Sequence, residues 1–363
     1  MSIPVEEENV QVPVPELLEV VLERGASDLH LTAGAPPTIR LYGDLVRLEE
    51  YPLMTPRALQ GMIYAILPQK MRERFEQELE LDMSYSLPGK ARFRVNVYLQ
   101  RDSIGAAFRL IPYEIKSLED LDLPSVVADL ARYPRGFVVV TGPTGSGKST
   151  SLASMVDIVN RERQAHIMTV EDPIEFLHKH DRCIVNQREV GADTHSFSQA
   201  LKHVLRQDPD VILVGEMRDL ETVRIALTAA ETGHLVLATL HTHDSAQAIS
   251  RIVDVFPGDQ QAQIRHQLSL SLHAILSQQL VPRADRRGRV PAVELLLASH
   301  PVRHLIRNDQ LQKLYNEITL GKRQGMIALE ESLARLVASG VIEAEEARIR
   351  TPRPQELASL LSQ

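Results

Sequence analysis

The period of apolar and polar residues changes once along this chain, near residue 111, and the change separates two differently built halves. In the first half, residues 16–24 carry a short helical pattern that Gly25 stops, behind an acidic, proline-rich tail over residues 1–15 that is expected to be mobile. Leu29 and Leu31 alternate with His30 and Thr32, and Ile39 and Leu41 precede a Gly43-Asp44 turn. Leu59, Met62, Ile63 and Ile66 share one face of one or two helices over about 56–79. Ala91–Gln100 is the clearest strand, with Phe93, Val95, Val97 and Leu99 alternating against Arg92, Arg94, Asn96 and Tyr98. A second strand over 104–111 puts Ala106, Phe108 and Leu110 on the apolar face and Arg109 on the other. One register of this hairpin sets Arg94 across from Arg109, where like charges oppose pairing unless an anion compensates them. The other reading is two solvated arginines on an open sheet face. Asp28 and His30 are read as structural.

After a connection over 112–124, short apolar strands alternate with amphipathic helices. Strands are predicted at 138–141, 167–170, Val211–Val214 and Leu235–Leu240. Helices are predicted through Leu152, Met155, Val156 and Val159; through Phe197, Ala200, Leu201 and Val204; and from an Asp219 cap to Gly233. This alternation predicts a mostly parallel sheet covered on both faces. The fold class is therefore α/β: an α+β domain over 16–111, a linker over 112–124, and an α/β domain over 125–363 that turns helical from about 290. No internal repeat is visible.

Gly142-Pro143-Thr144-Gly145-Ser146-Gly147-Lys148-Ser149 reads G-x-x-x-x-G-K-S between an apolar strand and a helical pattern, the setting of a phosphate-binding loop. Backbone N–H groups at a helix N-terminus surround phosphate oxygens, and the helix dipole favours their charge. Lys148 reaches the β- and γ-phosphates, and the Ser149 hydroxyl serves as a Mg²⁺ ligand. Three further strands border polar residues: Glu171-Asp172-Pro173-Ile174-Glu175, Gly215-Glu216-Met217-Arg218-Asp219, and His234 before and His241-Thr242-His243 after Leu235–Leu240. Ligands of open α/β sheets sit at strand carboxyl ends. Where many such enzymes place a metal-holding Asp, this chain has Gly215 followed by Glu216. Glu216 is therefore assigned to Mg²⁺ through water, and Glu175 to the attacking water; the reverse assignment is the alternative. His234 and His241 either contact the γ-phosphate or are structural, as a turn-closing and a core histidine.

Composition narrows the picture. A net charge of −8, no Trp and 4% aromatics disfavour a nucleic-acid motor, which would need a basic channel or stacking platform. Cys183 is the only cysteine, so neither an intrachain disulfide nor a cysteine zinc site can form, and a buried thiol is expected. No apolar run is long enough to span a bilayer, and residues 1–15 lack a signal-peptide pattern, so a cytosolic protein is expected.

GPTGSGKST at 142–150, TVEDPIE at 169–175, DPDVILVGEMRD at 208–219 and TGHLVLATLHT at 232–242 together resemble the secretion ATPases of type IV pili and type II secretion. The resemblance starts at SDLHLTAGAPPTIR (27–40) and reaches the C-terminal region, and is nearest to the pilus-retraction branch. It implies a PAS-like N-terminal domain, a RecA-like ATPase domain, a homohexameric ring, and ATP with Mg²⁺ bound between the domains by a site that includes Thr150. It supports Arg94 and Arg109 as phosphate contacts. It further implies a membrane-embedded platform partner that handles pilin, at the inner face of the membrane. Assembly and type II enzymes carry a four-cysteine zinc site that one cysteine excludes. A retraction signature is matched in part over Pro301-Val302-Arg303-His304-Leu305-Ile306-Arg307-Asn308, where Arg303, Leu305, Ile306 and Arg307 agree. Assembly or secretion ATPase is the alternative within the family.

Overall fold

The computed structural model describes residues 12–111 and 114–362, and its contacts fall into two units that part between Tyr113 and Glu114. Most of the expected tail lies outside the described residues. Its end is not tail, however. Val12 and Val14 are buried in the core of the first unit, and α1 (Val14–Glu23) starts earlier than its pattern suggested. Proline in a first helical turn forfeits no intrahelical hydrogen bond, so Pro15 is accommodated there.

The first unit continues with β1 (Asp28–Leu31), β2 (Thr38–Leu41), β3 (Asp44–Arg47), α2 (Pro56–Ile66), α3 (Gln69–Glu78), β4 (Glu80–Leu87), β5 (Ala91–Gln100) and β6 (Ser103–Ile111). The strands form one antiparallel sheet in the order β3-β2-β1-β6-β5-β4. Phe93, Val95, Val97, Ala106 and Phe108 are buried against Leu59 and Ile63 of α2 in its core. Arg94 does stand opposite Arg109. The compensating anion is Asp28, paired with Arg109 from the other side of β6, and only 5% exposed. Arg109 Nε donates to Asp28 Oδ1 at 2.8 Å, and the Ser27 hydroxyl donates to Oδ2 at 2.6 Å. Burial opposes the Asp28 charge, but Ser27 and Arg109 outweigh it and hold the carboxyl below its ordinary range.

The second unit contains α4 (Val126–Ala131), β7 (Gly136–Thr141), α5 (Lys148–Glu162), β8 (His166–Glu171), β9 (Ile184–Glu189), α6 (Phe197–Val204), β10 (Val211–Val214), α7 (Leu220–Glu231), β11 (Leu235–Leu240), α8 (Ser245–Asp254), α9 (Gly258–Ser271), β12 (Leu272–Pro282), β13 (Arg289–Leu297), α10 (His300–Arg307), α11 (Leu314–Leu320), α12 (Leu329–Ala338), α13 (Ala344–Arg350) and α14 (Pro354–Leu361). Its sheet runs β13-β12-β7-β11-β10-β8-β9, parallel except at β13. Phe137 and Val139 of β7 face one core and Val138 and Val140 the other, so this strand is buried on both sides.

Two boundaries need correction. Pro112 and Tyr113 of the expected linker lie outside the described residues, but Leu118 and Leu123 are buried against Val127 and Leu130 of α4, so most of 114–124 is built into the second unit. The helical region begins at His300, not about 290, because Arg289–Leu297 pairs with β12 along its length. Ala, Glu and Leu in that segment favour helix locally, and tertiary pairing overrides the preference. Cys183 is buried, its thiol donating to the Arg163 carbonyl at 3.0 Å, and burial raises its pKa.

If Asp28 is what permits the arginine pair, Asp28→Asn should cost about 1–3 kcal/mol in urea unfolding. Unchanged stability would mean that solvent alone tolerates the two facing arginines.

Candidate nucleotide site

All six residues of β7 are buried, and the strand delivers the chain directly into the glycine-rich loop. Gly142 has φ 149°, and a Cβ there would stand 2.2 Å from the Gln278 carbonyl oxygen, so no other residue fits. Gly147 caps α5, whose first-turn N–H groups have no carbonyl partners within the helix. Lys148 is buried, and its Nζ donates to the carbonyls of Gly142 (2.8 Å) and Pro143 (3.0 Å) and lies 3.5 Å from His241 Nδ1. Burial lowers the Lys148 pKa, while the nearby Glu216 and Glu175 favour its charge.

Glu216 follows β10 through Gly215. A Cβ on Gly215 would press to 3.1 Å on the backbone of Val170 and Glu171, which is a physical reason for glycine where an acid was looked for. The Glu216 carboxylate accepts from His241 Nε2 at 3.0 Å and from Arg218 Nε at 2.5 Å. Burial would raise its pKa, but Arg218 and His241 more than offset this and keep it ionised. Glu175 comes from the loop after β8. That loop is anchored next door, where Ile174 is buried and its N–H donates to Glu189 Oε2 of β9 at 3.1 Å. Thr144, Gly145, Gly147, Lys148, Ser149 and Thr150 line one cavity of about 380 Å³ together with Glu175, Glu216 and His241. That volume lies within the range of small-ligand sites. Gly142, Pro143 and Ser146 form the back of the loop.

His234 does not join them. It precedes β11 beside Gly136, at the amino end of the strand whose other end pairs with Thr141, and its Nδ1 lies 2.9 Å from the Ala229 carbonyl. A six-residue strand is about 20 Å long, so His234 and His241 mark opposite edges of the sheet. Within this chain His234 closes the turn after Gly233. Arg94 and Arg109 belong to the first unit, where Arg109 is engaged by Asp28.

In α10, Leu305 and Ile306 are buried, and Arg303 donates to the carbonyls of Ala298, Ser269 and Leu270, capping the end of α9. Three of the four signature residues are thus engaged internally, while Arg307 is partly exposed.

Sequence reasoning named Glu171 without assigning it a role, and missed His178 and Arg289, which line the cavity with it, and Gln278 beneath it. Glu171 accepts from the Thr169 hydroxyl (2.6 Å) and Gln187 Nε2 (3.1 Å), yet burial dominates and pushes its pKa to about 7. Burial holds His178 neutral, with a pKa of about 4. The available signal was the polar stretch Ser277-Gln278-Gln279 following the apolar residues 274–276, and the doubled acids of the segment after 170.

Residues 6–348 match the family model for type II/IV secretion system protein. The chain belongs to this family. Within it, the chain is 49% identical over 342 residues to the type IV pilus retraction ATPase PilT of Pseudomonas aeruginosa, covering 94% of this chain and 99% of that protein. It is 46% identical over 322 residues to a twitching motility protein of Neisseria gonorrhoeae, covering 89% and 86%. A crystal structure of the pilus retraction motor PilT with bound ADP superposes with a TM-score of 0.90 at 46% identity, covering 96% of this chain and 99% of that one. The mixed α/β fold is that of these secretion-family proteins.

The raised Glu171 pKa has a signed consequence. The carboxyl is neutral in both folded and unfolded chains below about 4.5, and its stabilising proton is lost from the native state as pH rises through about 7. Glu171→Gln should therefore lose less stability than the wild type between pH 5 and pH 8. Denaturant midpoints falling in parallel for both proteins would exclude a raised Glu171.

Proposed function

We propose that this chain is the ATP-hydrolysing motor of type IV pilus retraction. The observation that carries the reading is one cavity lined by a phosphate loop, Lys148, the carboxylates of Glu171, Asp172, Glu175 and Glu216, and His241, in a chain similar over nearly its full length to pilus retraction ATPases. ATP enters with its phosphates on the N–H groups of 145–149, and Lys148 turns from the loop carbonyls to the β- and γ-phosphates. Glu175 orients and deprotonates the attacking water. Ionised Glu216 holds His241 and Arg218 at the γ-phosphate end.

Among the described residues no group of three or more His, Cys, Asp or Glu forms a metal cage. Ser149 and an ionised Glu216 on one cavity nevertheless fit Mg²⁺, which completes its shell with water and phosphate oxygens. Ser149 would hold it directly and Glu216 through water; bound, it neutralises phosphate charge.

The wider reading is a homohexameric ring of PAS-like and RecA-like domains, in which Arg94 and Arg109 close on ATP and leave when ADP is released. Arg109 would exchange Asp28 for phosphate in doing so. Two conformations stabilised differently by nucleotide are what coupling requires. The ring acts from the cytoplasmic face on a membrane platform protein and, through it, on pilin. Arg303, Leu305, Ile306 and Arg307 keep α10 in the shape this contact needs, with Arg307 as the residue able to reach out.

Lys148→Ala should abolish ATP turnover in a folded protein; ordinary turnover would sink the reading. Glu175→Gln should retain ATP binding and lose turnover by about 100-fold or more. The same result for Glu216→Gln alone would reverse the two acids. Deleting the gene should leave cells with excess, unretracted pili and no twitching, whereas bald cells would indicate assembly.

A further inference from the structure

Gln278 is a polar side chain, 4% exposed, between Ser277 and Gln279 in β12. Ser277 pairs with Thr141, the last residue of β7, so Gln278 is the first residue of β12 to pass the end of that strand. It therefore lies under the glycine-rich loop. Its amide makes two bonds of opposite sense. Nε2 donates to the Ser146 carbonyl at 2.7 Å, and Oε1 accepts from the Ser151 hydroxyl of α5 at 2.9 Å. Its backbone carbonyl closes off the space beside Gly142, and a Cβ on Gly147 would meet its Nε2 at 3.0 Å. One residue thus touches the start, the crest and the helical end of the loop.

The bond to Ser146 has a directional consequence. The Ser146 carbonyl and the Gly147 N–H belong to one planar trans peptide unit and point in opposite directions. Pinning the oxygen toward β12 turns the Gly147 N–H away from β12, into the concave side of the loop. A free glycine-rich peptide could rotate and present its carbonyl oxygen to a phosphate instead, which would repel it. The Ser151 bond fixes the first turn of α5 against the same side chain, so loop and helix N-terminus are set together.

We propose that Gln278 is a positioning residue for nucleotide binding, orienting the loop peptide so that its N–H faces phosphate. It touches no substrate atom itself. Only an amide satisfies both partners: a carboxylate could not donate to Ser146, and a thioether could do neither. The inference rests on the nucleotide-site reading above.

The test is ADP binding by the full chain, followed with a fluorescent ADP analogue, alongside steady-state ATPase kinetics and the unfolding midpoint without nucleotide. Gln278→Met and Gln278→Glu should weaken ADP binding and raise KM tenfold or more, with kcat reduced much less and the nucleotide-free midpoint shifted by only a few degrees. Ser151→Ala, which removes the other half of the clasp, should weaken binding by a smaller factor. It should add little in a Gln278→Met background, and it serves as the test if both Gln278 variants fail to fold. Gln279→Ala, on the neighbouring residue, should bind as the wild type does. Wild-type affinity in a folded Gln278→Met protein, or in Ser151→Ala when that is the only variant recovered, overturns the positioning role. A wild-type protein that binds no ADP overturns the nucleotide-site reading with it.

Discussion

Because β7, β8, β10 and β11 run parallel and in register, their carboxyl ends emerge along one edge of the second unit. Parallel pairing buries both faces of each strand, and the returns from β7, β9, β10 and β11 run through helices while that from β8 to β9 is the loop 172–183. The loops at the opposite edge are spent on those returns. Loops at the carboxyl edge are left to carry Lys148, Glu175, Glu216 and His241, residues distant in sequence, to one cavity. The chemistry depends on this register more than on any single contact: a slip of one residue would turn the buried face of a strand outward and withdraw its acid from the phosphate loop.

Much of this was legible. Glycines, lysine and hydroxyls of the loop are confined by stereochemistry to a fixed spacing, and buried parallel strands announce themselves as short β-branched runs, as in Val211–Val214. What was not legible depended on partners far away in sequence. The strand β9 is polar at four of its six positions, and β13 carries helix-favouring residues; both are strands because a neighbour pairs with them. Glu171 and Glu175 look alike in sequence, but Glu175 is exposed while burial raises the Glu171 carboxyl to about 7. The placement of His234 failed for a simpler reason. Adjacency to a strand does not say which end of it faces the site.

In the first unit the alternating pattern of β5 and β6 allowed a register with Arg94 opposite Arg109, and left a compensating anion or two solvated arginines as its readings. The anion itself was not legible, since Asp28 arrives from a strand some eighty residues away in the chain. An arginine held by a buried carboxylate is oriented by the fold itself, at no further cost in side-chain ordering.

Cys183, the single thiol of the chain, is buried and hydrogen-bonded, with its thiolate disfavoured. Thiol reagents require an accessible thiolate. The native protein is therefore a quiet background for maleimide chemistry. A cysteine introduced on the exposed face of β5 and another beside the phosphate loop could each carry a spin label or fluorophore. Each label would then report on its own unit, with Cys183 left in place.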